Sequence, residues 1–150
     1  MTAATVRKLM FRARLRLPKG LRHEPANNIG AYYAQGEEGL AKNLRKAAYW
    51  YTLGAILGDF VAQCNLALVY YYGEGDVPRN RWLAYKWFIP AAAEGDGQAM
   101  TYLGQMHVNG EIVRKDDDAA ARWFRRAKRD GWSIHEWESW LIQYDVKHAH

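Results

Sequence analysis

Cysteine is all but missing from this sequence: Cys64 stands alone among 150 residues. A single thiol excludes an intrachain disulfide and any zinc site built from several cysteines. Long apolar runs are missing too, and no stretch approaches the roughly 20 residues of a membrane-spanning helix. In the opening segment, arginines interrupt the apolar stretch after Leu9, Met10 and Phe11, which does not suit a secretory signal. A cytosolic location is the resulting expectation. Acidic side chains are absent from the first 23 residues, where Arg7, Lys8, Arg12, Arg14, Arg16, Lys19 and Arg22 gather. The net charge of +5 therefore belongs to that segment, and the remainder is nearly neutral. A basic, nucleic-acid-binding domain would place its charge differently. Catalytic constellations are lacking as well. The loop Gly73-Glu-Gly-Asp-Val-Pro-Arg79 has no Gly-Lys-Ser/Thr ending to cradle a phosphate, and nothing pairs Cys64 with a histidine. Asp116, Asp117 and Asp118 at a helix start are explained by capping and the helix dipole rather than by a metal. No enzyme activity, cofactor or metal is expected. His148 and His150 end the chain and suit adventitious metal binding at most.

Aromatic residues are abundant instead, with seven tryptophans and ten tyrosines, and 49% of the chain is apolar. Such a chain folds. Its organisation is periodic. Placing Ala47, Ala84 and Ala120 in register aligns Trp50, Trp87 and Trp123, followed by Tyr51, Phe88 and Phe124, and by Gly58, Gly95 and Gly131. Upstream the register joins Ile29, Leu66 and Leu103; Gly30, Ala67 and Gly104; Tyr33, Tyr70 and His107; and Gly36, Gly73 and Gly110.

Each unit reads as two antiparallel helices. Leu66, Ala67 and Tyr70 recur at helical spacing in the first, and Ala84, Trp87, Phe88 and Ala91 form one apolar stripe in the second. Asn43, Asn80 and Asp116 share one position, suited to capping the second helix. The glycines at 58, 95 and 131 suit its left-handed end. Pro90 interrupts the second helix of the middle unit and deprives the Lys86 carbonyl of its donor, as a tolerated kink or a hinge. A ring at Trp87 is expected to be buried.

These residues resemble the Sel-one-like repeat (SLR) family, relatives of the tetratricopeptide repeats. The pattern A-x-x-x-L-G-x-x-Y-x-x-G-x-G-V-x-x-D-x-x-x-A-x-x-W-[YF]-x-x-A-A-x-x-G runs as "AQCNLALVYYYGEGDVPRNRWLAYKWFIPAAAEG" and again as "AMTYLGQMHVNGEIVRKDDDAAARWFRRAKRDG". The first unit has Gly-Glu-Glu-Gly-Leu for G-x-G-V, the third has lost one loop residue, and His107 replaces the tyrosine. The resemblance implies an all-α fold: a right-handed α-α superhelix, or solenoid, of about three helix-turn-helix repeats with N- and C-terminal capping helices. The expected segments are a basic amphipathic arm over 1–23, repeats over about 24–60, 61–96 and 97–132, and a C-terminal capping helix and tail over 133–150. That last helix has Ser133 and Glu136 spaced as a capping box, then a stripe of Trp137, Trp140, Leu141 and Tyr144, packed as a cap or left open as a binding face. Secreted members with paired cysteines form a subgroup that lone Cys64 does not fit.

The resemblance implies a non-enzymatic scaffold, commonly bacterial, that holds a protein or peptide partner in a groove formed by the first helices. By register the inward-facing residues are Ala31 and Gln35; Cys64, Leu68, Tyr71 and Tyr72; and Thr101, Gln105, Val108 and Asn109. Tyr71 and Tyr72 are the expected anchors, offering apolar area with a polar tip. A narrower form is an immunity-type inhibitor of a cognate toxin. For the N-terminal helix three readings stand: a cap or solvated arm, a partner-binding or self-association helix, or a tether. As a tether, Arg7, Lys8, Arg12, Arg14, Arg16 and Lys19 would meet an anionic membrane or nucleic acid. Homo-oligomerisation through the repeat ends is also open.

Overall fold

The computed structural model describes residues 1–149; His150, allowed above adventitious metal binding at most, lies outside the described residues. The helices are α1 (Ala3–Arg14), α2 (Ala26–Gln35), α3 (Leu44–Ile56), α4 (Phe60–Tyr72), α5 (Arg81–Ala93), α6 (Gly97–Asn109), α7 (Asp117–Arg129) and α8 (His135–His148), with one 3-10 turn at Lys19–Leu21. No strand occurs among the described residues. α2 packs on α3, α4 on α5 and α6 on α7; α3 then meets α4, and α5 meets α6. Three helix pairs thus stack in chain order, closed by α1 on α3 and α8 on α7.

Two hydrogen bonds recur in every unit and explain the aligned Asn/Asp position. The side chains of Asn43, Asn80 and Asp116 accept from the N–H groups of Lys46, Leu83 and Ala119 at 2.9, 3.0 and 2.9 Å. Each satisfies a donor that the first helical turn leaves unpaired. The backbone N–H of the same residue donates to the carbonyl of Tyr33, Tyr70 or His107, at 2.8, 2.8 and 3.1 Å. That bond ties the start of each second helix to the end of the first.

The two helices of a unit approach where a small residue faces a ring. Tyr51, Phe88 and Phe124 are buried. A Cβ on Gly30 would stand 2.6 Å from the Tyr51 ring, and one on Gly104 would overlap Phe124. The enclosed rings are therefore these, one residue after the tryptophans. Trp50 is buried, whereas Trp87 and Trp123 are half-buried, which corrects the expectation that Trp87 is a core residue. Gly73 (φ +62) ends α4 against the Arg79 backbone, where any side chain would collide with main-chain atoms.

The loops after the first helices share a left-handed residue at Glu38 (φ 53), Gly75 (φ 57) and Ile112 (φ 61). The backbone shape survives where glycine has been lost. Pro90 is accommodated inside a continuous α5. At the C-terminus the capping box does not form: α8 begins at His135 after Ile134, which makes no side-chain cap. Ser133 lies a residue too early, because buried Ile134 fixes the entry of the helix. The stripe of α8 is packed. Trp137 stacks on Phe124 at 5.2 Å, Trp140 meets the same ring edge-on at 5.5 Å, and Leu141 is buried.

The apolar interior is divided. One cluster joins α1, α2 and α3 with Ala62 and Leu66 of α4; the other joins Cys64, Ala67 and Tyr71 of α4 with α5 to α8. Tyr70 and Trp87 pack against both.

Candidate functional site

The first helices of successive units meet along one face. Asn65 on α4 donates to Asn27 on α2 at 2.9 Å. Gln105 on α6 donates to the Tyr71 hydroxyl at 2.9 Å, and the Tyr72 and Tyr102 hydroxyls hydrogen-bond to each other. On a 13-residue helix wedged between two units, position decides exposure. Cys64, Ala67 and Tyr71 are spaced three, four and seven apart and turn toward the third unit. Asn65, Leu68 and Tyr72 fall on the adjoining stripe and line the open face.

This geometry divides the expected groove residues. Tyr72 is 56% exposed, and Gln35 and Asn109 are exposed; Ala31, Leu68, Thr101, Gln105 and Val108 are half-buried. Cys64 and Tyr71, at 2% and 3% exposure, are enclosed and cannot serve as contact residues. Burial, with Asp96 nearby, pushes the Cys64 thiol well above its ordinary range, so it stays protonated. Tyr71 is instead the support beneath the face. The Arg81 guanidinium lies 3.6 Å over its ring, Arg81 Nε donates to its carbonyl at 2.9 Å, and Arg81 pairs with Glu111 of the next unit.

Tyr102 was not anticipated. It packs against Tyr71 at 4.9 Å and stacks on Phe88 at 5.1 Å. Burial foremost, then the bond to Tyr72, raises its hydroxyl far above the ordinary tyrosine range. Its signal in the sequence is a lone tyrosine in register with Asn28 and Asn65, where the other units keep a polar residue. Beside Tyr72 lies an apolar recess of about 160 Å³ lined by Leu44, Leu68, Val69, Tyr72 and Glu74. A fixed tyrosine next to a small apolar recess can seat an apolar side chain and hydrogen-bond its backbone. His107 packs edge-on to Tyr85 at 6.2 Å, and burial lowers its pKa.

A family profile described as Sel1 repeat matches residues 26–59, 61–96 and 97–132. Chitin synthase regulatory factor 3 of Schizosaccharomyces pombe is 32% identical over 104 residues, 69% of this chain and 11% of the fungal protein. Chitin synthase regulator SKT5 of Saccharomyces cerevisiae is 27% identical over 109 residues, 71% of this chain and 16% of that one. This chain thus spans a small part of the curated relatives it matches. Among solved structures, c5321, a protective antigen of uropathogenic Escherichia coli displaying an SLR fold, superposes with a TM-score of 0.73 at 27% identity. It covers 81% of this chain and 26% of its own. A Sel1 repeat protein from Oxalobacter formigenes superposes at 0.68 with 32% identity, covering 86% and 54%. Relatives thus occur in fungi and bacteria alike. The profile fits all three stacked helix pairs and the solved neighbours share their arrangement: the chain belongs to the Sel1 repeat family.

Proposed function

We propose that this protein is a non-catalytic adaptor that binds a protein or peptide segment along the face of its first helices. The observation that carries the reading is Tyr72, exposed yet held by the Tyr102 hydroxyl beside an apolar recess. A side chain ordered before binding loses little entropy when it becomes an anchor. The face is mixed in character, with Asn65, Leu68, Gln105 and Asn109 around the tyrosines, and suits a polypeptide more than a phosphate backbone. The fungal relatives are regulators of a synthase, a role of the kind that binding supplies without chemistry.

The test is capture of partners from the source organism with wild type and Tyr72→Ala, followed by titration of the purified partner. Tyr72→Ala is expected to weaken binding by tenfold or more, about 1.4 kcal/mol. Unchanged affinity in a folded variant would remove the site from this face.

A further inference from the structure

The outward side of α1 is built differently from the tyrosine face. Val6, Leu9, Met10 and Ala13 turn inward, buried or half-buried. At roughly 100° per residue, Phe11 and Leu15 then point the opposite way, and they are 67% and 54% exposed. Arg7 flanks this pair on one side, Lys8 and Arg12 on the other, all exposed. Arg14 is not among them; its guanidinium donates to the Arg22 carbonyl at 2.6 Å. On the Arg12 flank, α1 and α3 leave a cleft of about 490 Å³ whose cations are Arg12, Arg16 and Lys46, above the rings of Tyr33, Tyr49 and Trp50; no carboxylate lines it. Among the described residues every ion pair lies from Arg81 onward, and none involves these cations.

Unneutralised cations call for an anionic occupant. A nucleic-acid backbone would use the charge but leave Phe11 and Leu15 against phosphates, whereas the boundary between headgroups and acyl chains takes both. We infer that α1 docks this protein on an anionic lipid surface, with Phe11 and Leu15 entering the boundary and Lys8, Arg12, Arg16 and Lys46 meeting lipid phosphates. This surface is separate from the tyrosine face, so the adaptor reading and this one stand or fall independently.

The test is flotation of the full chain with vesicles of phosphatidylcholine, alone or mixed with phosphatidylserine, across a salt series. Binding is expected only to the mixed vesicles and to weaken as salt rises. Arg12→Glu/Arg16→Glu should lower partitioning by more than tenfold, since each basic residue near an anionic membrane is worth roughly fivefold. Phe11→Ser/Leu15→Ser, whose side chains face solvent, should keep the wild-type thermal melt and lose at least tenfold in partitioning. Absence of binding to mixed vesicles at low salt would overturn the inference. So would undiminished binding by the folded Phe11→Ser/Leu15→Ser variant, or binding of a single-stranded oligonucleotide in preference to vesicles.

Discussion

Ile112 holds a backbone conformation that costs a β-branched residue about 1–2 kcal/mol, at φ 61 and exposed to solvent. Gly75 adopts the same conformation in the middle unit without that cost. Ile112→Gly is therefore expected to stabilise the protein by about 0.5–1 kcal/mol after the added freedom of the unfolded chain is counted, read as a higher urea midpoint. Tyr51 occupies the position of Phe88 and Phe124, and burial pushes its hydroxyl up to about 12 from an ordinary value near 10. The folded protein holds a proton that the unfolded chain gives up, so stability is full below pH 10 and falls between pH 10 and 12. Tyr71 and Tyr102 shift in the same direction. Tyr51→Phe should make the alkaline decline shallower in melts recorded from pH 8 to 12 while leaving neutral stability intact. At this scale the sequence was only partly legible. Register aligned Tyr51, Phe88 and Phe124 as one class, but periodicity alone could not tell the enclosed ring from Trp87 beside it. Nor could it tell Tyr71 from Tyr72, adjacent residues separated by 100° around α4.

Helix ends and pairings were the most readable features. Asn43, Asn80 and Asp116 start α3, α5 and α7 as their chemistry requires, and Gly58, Gly95 and Gly131 follow them with positive φ. The start of α8 was not readable, because buried Ile134 outweighs a local Ser–Glu spacing. α5 is a full helix despite Pro90, and the corresponding residues Leu53 and Arg126 show that its neighbours do without proline. A proline in a helix interior costs about 3 kcal/mol relative to alanine. Pro90→Ala restores a donor to the Lys86 carbonyl, and it is expected to raise stability by about 1–3 kcal/mol in chemical denaturation. A loss of stability instead would mean that the packing of the Pro90 ring outweighs the missing hydrogen bond.

Across the whole molecule, α4 contributes one flank to each of two apolar clusters, and only Tyr70 and Trp87 touch both among the described residues. Cooperative unfolding of a solenoid depends on coupling between neighbouring units. Trp87→Ala should cost less than the about 3–5 kcal/mol of removing a fully enclosed ring, yet split the transition, so that tryptophan fluorescence and circular dichroism no longer coincide. A single coincident transition would show that other contacts couple the halves. The stack itself was legible because each unit must cover its neighbour's apolar side; the division of its interior was not, since it arises only when α4 is placed between two units. The bond that closes each unit, from the Asn or Asp backbone to the carbonyl at Tyr33, Tyr70 or His107, is drawn from main chain alone. Substitution can therefore wander at both ends, as it has to histidine at 107 and aspartate at 116, without unfastening the join. A gene that copies this unit inherits the clasp as long as the donor is not proline and the glycine that ends the first helix is kept.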